Sequence, residues 1–152
     1  ASLAAAALAG PGGWLDLRNH SGLSEDSRAS PAAIAAVLRA AAVGPRNAFG
    51  RGGPGLLEAV LREEKLVAPR GEPPVPAGAR AVAKTGTMHY VRGLAGYLTA
   101  GSGRRFAFAI FSADLERRDR MPDGRATGAS RAWLGRAREL EDEILRTWAR
   151  AL

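Results

Sequence analysis

The chain has 152 residues, 46% hydrophobic and 24% charged, which is one domain's worth of sequence with enough apolar side chains for a core and excludes a disordered tail. It has no cysteine, so a disulfide framework and a thiolate metal site are both excluded. The net charge of +7 comes from arginines scattered along the chain, with lysine only at Lys65 and Lys84, and aromatics make up 6%. A basic surface without an aromatic stacking platform argues for solubility rather than a nucleic-acid partner.

In chain order, Ala1 to Gly10 is too short and too weakly apolar for a transmembrane segment, and it lacks the basic leader of a signal peptide. Ser2 to Leu8 has helical composition, which Gly10-Pro11-Gly12-Gly13 stops. The alternation Trp14-Leu15-Asp16-Leu17 predicts a short strand with Trp14 and Leu17 in the core. Asn19-His20-Ser21-Gly22-Leu23-Ser24 is a loop, in which a lone histidine is a structural or solvated residue rather than a base. Ser30-Pro31 predicts a helix start, an N-cap oxygen followed by the residue suited to the first turn. Ile34, Val37, Leu38 and Ala41 then recur at helical spacing until Gly44-Pro45.

Gly44 to Gly55 is a glycine- and arginine-rich loop without the Gly-Lys-Ser/Thr of a phosphate cradle. Leu56-Leu57, Val60, Leu61 and Leu66 predict a second short helix, and the four prolines between Pro69 and Gly78 an extended feeder. Ala81 to Thr87 reads as a strand, His89 to Arg92 as a polar turn, and Gly93 to Leu98 as the returning strand. Gly101-Ser102-Gly103 reverses the chain into Arg105 to Phe111, a third strand with apolar residues on both faces and therefore a central one. Glu116 to Gly128 is a polar loop whose Arg117-Arg118-Asp119-Arg120 reads as a solvated surface. From Ser130 to Leu152, Trp133, Ala137, Leu140, Ile144 and Trp148 mark an amphipathic helix expected against the sheet face of Phe106 and Phe108. A meander followed by a long helix gives an α+β fold, an antiparallel sheet flanked by helices.

The chemistry-bearing stretch is Lys84-Thr85-Gly86-Thr87, a Lys-Thr-Gly motif on a strand. With Met88, then Leu94-Ala95-Gly96-Tyr97 and an aromatic-rich strand, it resembles the C-terminal end of the penicillin-binding protein 4 type D-alanyl-D-alanine carboxypeptidases/endopeptidases. Ser21-Gly22-Leu23-Ser24, with Arg28 and Ser30-Pro31, is similar to that family's Asp-Gly-Ser-Gly-Leu-Ser-Arg stretch, departing from it at Asn19-His20.

The resemblance implies that residues 1–152 are the C-terminal part of a transpeptidase domain of the penicillin-binding and serine β-lactamase type. It also implies a substrate, a peptidoglycan stem peptide ending in D-Ala-D-Ala, a periplasmic location, and no metal or cofactor. Lys84 would be the catalytic-site cation, Thr85 and Thr87 would take the terminal carboxylate, and Gly86 would leave room for the substrate along the strand. In that class a serine of a Ser-x-x-Lys motif is acylated and a Ser-x-Asn motif relays a proton.

No serine of this chain has a lysine three residues on, and no Ser-x-Asn occurs. In the family both motifs precede the Ser-Gly-Leu-Ser stretch, so the isolated chain is expected to be inactive and to take β-lactams only together with an N-terminal part. The alternative reading is a non-catalytic carboxylate- or peptidoglycan-binding module that keeps the strand but not the reaction. His89, two residues beyond Thr87, fits either a site-lining residue or an exposed turn.

Overall fold

The computed structural model describes residues 14–19, 24, 26–43, 56–121 and 127–152. The expected Ser2 to Leu8 helix, His20 with Ser21-Gly22-Leu23, and the Gly44 to Gly55 loop lie outside the described residues.

The centre is a four-stranded antiparallel sheet of order β3-β4-β5-β6, built from β3 (Arg62–Glu64), β4 (Arg80–Met88), β5 (Val91–Thr99) and β6 (Arg105–Ala113). Two short strands, β1 (Leu15–Asp16) and β2 (Arg28–Ala29), pair separately. The helices are α1 (Pro31–Val43), α2 (Leu56–Val60), α3 (Leu115–Asp119) and α4 (Gly128–Ala151). The architecture is α+β, as expected.

The register explains how the two faces divide. Val82 opposes Tyr97, which opposes Ala107, and this row packs with Ile34, Leu38 and Ala42 of α1. Strand alternation turns the neighbouring residues to the other face, where Ala81, Ala83, Leu94, Leu98, Phe108 and Ile110 meet Leu145 and Ala149 of α4. Phe108 and Trp148 pack edge to face, their centroids 6.1 Å apart, so the terminal helix lies on the expected face. Ser30 caps α1 as predicted, its Oγ accepting from Ala33 N at 3.1 Å.

Several elements differ from expectation for identifiable reasons. The second helix ends at Val60, and Arg62–Glu64 pairs with β4 as an edge strand whose charged residues carry no apolar alternation. β6 is covered by α1 on one face and α4 on the other, yet it is the end strand of the described sheet rather than a central one. Coverage of both faces reports the layers, not the neighbours in the sheet. Along that end strand runs an apolar cleft of about 380 Å³ bounded by Ala32, Ala35, Phe106 and Trp148.

Trp14 and Leu17 are exposed, at 50% and 62%, because the β1–β2 pair is a small ribbon rather than part of the core. The polar loop after β6 begins as α3, capped by Asp114, whose side chain accepts from Arg117 N. In α4, Leu140 is 48% exposed and Glu141 is fully buried. The buried row steps by four through Ala137, Glu141, Leu145 and Ala149, one position away from the apolar residue that hydrophobicity alone would select.

Candidate active site

β4 has two halves. Arg62, Glu63 and Glu64 of β3 pair with Ala83, Val82 and Ala81, and the pairing stops there. On the other side β5 pairs with β4 along its whole length, from Arg80↔Thr99 to Met88↔Val91. Among the described residues, Lys84 to Met88 therefore presents one unpaired edge, on which alternate residues offer backbone N–H and C=O groups. Burial changes at the same residue: Ala81, Val82 and Ala83 are buried, whereas Lys84, Gly86 and Thr87 are exposed and Thr85 is half-buried.

The structure thus places all four predicted site residues on the open edge. Alternation sends Lys84 and Gly86 to the α1 side and Thr85 and Thr87 to the α4 side. The Lys84 ammonium bends back to donate to Thr85 O at 2.5 Å, which holds the cation over the edge. A Cβ added at Gly86 would meet nothing within 4 Å, so the missing side chain leaves a bare surface rather than relieving an internal contact. Gly86 opposes Gly93, against which the Phe111 ring packs, giving this side a floor of low relief beside Lys84.

On the α4 side the edge is backed by a polar contact that sequence reasoning missed. Arg92 lies in β5 directly opposite Thr87, not in a turn. The hairpin loop is only His89-Tyr90, with Tyr90 in the left-handed region at φ 54°. A bulky residue there is strained, and tertiary packing holds it: the buried Tyr90 ring meets Trp133 of α4 edge to face at 5.9 Å, and its carbonyl accepts from Asp114 N at 2.8 Å. This tight turn brings Arg92 back into the ladder. His89 is half-buried in that turn.

Arg92 Nε donates to Glu141 Oε2 at 2.6 Å, and its Nη1 donates to Thr87 Oγ1 at 3.4 Å. Burial pushes the Glu141 carboxyl above its ordinary value, while the hydrogen bond and charge of Arg92 pull it back. The one available signal was the i+4 row Ala137-Glu141-Leu145-Ala149, whose single charge calls for a partner across the helix–sheet interface.

The arrangement can bind an extended peptide with a carboxylate terminus. It offers a strand edge, a cation and two hydroxyls on a rigid element. Among the described residues no cluster of His, Cys, Asp or Glu could hold a metal ion, and no helix is long and apolar enough to cross a membrane. The apolar cleft beside β6 lies at the opposite side of the sheet and has no titratable side chain in its lining.

No curated protein and no solved structure matches the chain. A family model, described as the D-Ala-D-Ala carboxypeptidase 3 (S13) family, matches residues 66–132. The matched stretch contains the whole β4-β5-β6 meander together with the Lys84 to Thr87 edge, so this part of the chain is similar to the D-Ala-D-Ala carboxypeptidase 3 (S13) family.

Proposed function

We propose that the open edge of β4 is where a peptidoglycan stem peptide ending in D-Ala-D-Ala lies in a serine-type carboxypeptidase/endopeptidase. The observation that carries this reading is one of register. β3 leaves β4 at Ala83, and the next four residues are Lys84-Thr85-Gly86-Thr87. A peptide added there as a strand gains main-chain hydrogen bonds from the edge and specificity from the flanking side chains.

In this reading Lys84 supplies positive potential, and the Thr85 and Thr87 hydroxyls donate to the terminal carboxylate. The bare surface at Gly86 lets the D-Ala residues approach the backbone. The Thr87 N–H serves as one oxyanion-hole donor, a role worth about 3 kcal/mol in the transition state. The reaction is attack of a serine hydroxyl on the carbonyl of the penultimate D-Ala, release of the terminal D-Ala as an amine, and hydrolysis of the resulting ester by water. These 152 residues contain no Ser-x-x-Lys, so in this reading the chain contributes the binding edge and not the nucleophile. The substrate sets the location, outside the cytoplasm and in the periplasm.

The absence of Ser-x-x-Lys and Ser-x-Asn supports the second reading, a carboxylate- or peptidoglycan-binding module without the reaction. An extract of the source organism labelled with fluorescent penicillin and probed with an antibody to α4 separates the two. A labelled, antibody-positive band well above 15.9 kDa supports the enzyme. An unlabelled band at 15.9 kDa leaves the binding module. The purified 152-residue chain is expected to form no covalent penicillin adduct by mass spectrometry, and such an adduct would show that a serine of this chain is the nucleophile after all.

A further inference from the structure

The Arg92–Glu141 pair ties β5 to α4 across the helix–sheet interface. Glu141 is fully buried on α4, and its Oε1 has no partner among the described residues, so Arg92 does not grip the carboxylate as a two-pronged fork. Only Nε is spent on Glu141, side-on, at 2.6 Å. The terminal nitrogens are not spent on Glu141, and Nη1 reaches Thr87 Oγ1 at 3.4 Å. The Arg92 side chain is 14% exposed, so its charge is sheltered from water without being sealed off.

The consequence for Thr87 is directional. A guanidinium can only donate, and a threonine hydroxyl has one hydrogen and two lone pairs. When Thr87 Oγ1 accepts from Arg92, its single hydrogen is turned away from Arg92, and because Thr87 is exposed that hydrogen is open to a ligand. The guanidinium also polarises the hydroxyl, making it a better donor to an anion.

We propose that Arg92, held in place by Glu141, is a positioning residue that orients the Thr87 hydroxyl to donate to an anionic terminus, so that this edge takes peptides with a free C-terminal carboxylate over amidated ones. The inference rests on the reading of β4 as the substrate edge and adds the origin of its charge selectivity. The preference depends on Arg92 both carrying charge and being fixed, since a guanidinium free to swing out into solvent no longer directs the hydroxyl.

The test is an amide NMR titration of the full chain with N-acetyl-D-alanyl-D-alanine and with its C-terminal amide. The wild-type chain is expected to bind the carboxylate form more tightly, with shifts centred on Lys84 to Met88. Arg92→Gln should lose roughly tenfold or more of that preference, the size typical of one hydrogen bond to a charged group, while binding of the amide stays the same.

Arg92→Lys keeps a cation for Glu141 and so protects the fold. It is expected to lose the preference as well, because one ammonium seated on Glu141 cannot also direct Thr87. Full carboxylate preference in either folded variant overturns the role of Arg92 and leaves the substrate edge standing. A wild-type chain that binds neither peptide, or binds both away from β4, overturns the substrate-edge reading and the inference together.

Discussion

The two halves of β4 share one strand, one partner on the β5 side and one backbone conformation, yet they are built for opposite ends. From Ala81 to Ala83 the strand is paired on both edges and covered on both faces, and its side chains are small and apolar. From Lys84 on, one edge is open and the side chains are a cation, two hydroxyls and a bare glycine. The closed and open halves thus meet at a single peptide unit. The closed half fixes the position of the open half, which makes few packing contacts of its own.

The sharpest break in that comparison is on the closed half. Gly96 opposes Ala83, and a Cβ on it would lie 2.0 Å from Val82 O and 2.7 Å from Ala83 Cα. Backbone at that range cannot move aside without parting β4 from β5, so Gly96→Ala is expected to cost more than about 3 kcal/mol in urea denaturation. A variant of near wild-type stability would mean that the strands sit further apart than described.

Next in size is the Arg92–Glu141 contact, where the closed core reaches behind the open half. Glu141→Leu leaves a sheltered guanidinium without its counter-ion and is expected to cost about 3–5 kcal/mol. Adding Arg92→Met should recover much of that loss, because replacing both members of a buried pair by apolar residues is far milder than removing one. If the double variant is as unstable as the sum of the singles, the two residues do not act as a pair. A smaller effect is expected at Tyr97, whose hydroxyl donates to Leu38 O at 2.7 Å and ties β5 to α1. Tyr97→Phe should cost about 1 kcal/mol by thermal or urea unfolding.

How much of this could be read in advance follows the same division. The Lys84 to Thr87 stretch was legible because its residue types are themselves the motif, and the meander because its apolar runs are broken by Gly-rich or polar turns. Arg92 was not, since a hairpin loop of only His89-Tyr90 has no glycine to mark it and depends on the Tyr90–Trp133 contact. Glu141 was hidden for a related reason: a charged residue enters a helix's buried row only when its partner is known, and Arg92 is 49 residues away in sequence. The strand Arg62–Glu64 shows the same limit, because pairing to a neighbour and not apolar alternation makes it a strand. Contacts distant in sequence decided each of these.

The pH dependence of stability isolates Glu141. Its carboxyl holds a proton to higher pH in the fold than its ordinary 4.5, first because burial disfavours the charge, with Asp142 and Glu64 adding to the effect and Arg92 opposing it. A folded-state value raised in this way contributes stability that is fully present below pH 4.5 and falls away as pH rises through the raised value. Melting temperatures measured from about pH 4 to about pH 7, a range that brackets a raised carboxyl, should therefore show a downward component in the wild type that Glu141→Gln removes. A variant that keeps the full wild-type slope would assign that slope to other carboxyls.

The smallest expected change in stability is at the residue expected to matter most for function. The exposed Lys84 ammonium has one hydrogen bond, to the neighbouring Thr85 carbonyl, and no ion pair among the described residues. Lys84→Ala should therefore leave stability within about 0.5 kcal/mol of wild type, while abolishing detectable carboxylate binding along Lys84 to Met88 in the same amide NMR titration. A large loss of stability would place the lysine with the closed half of the strand and make it a structural residue. Unchanged stability together with unchanged binding would leave the open edge without a role for its cation. Only the combination of lost recognition and retained fold is consistent with a strand that is scaffold up to Ala83 and site from Lys84 onward.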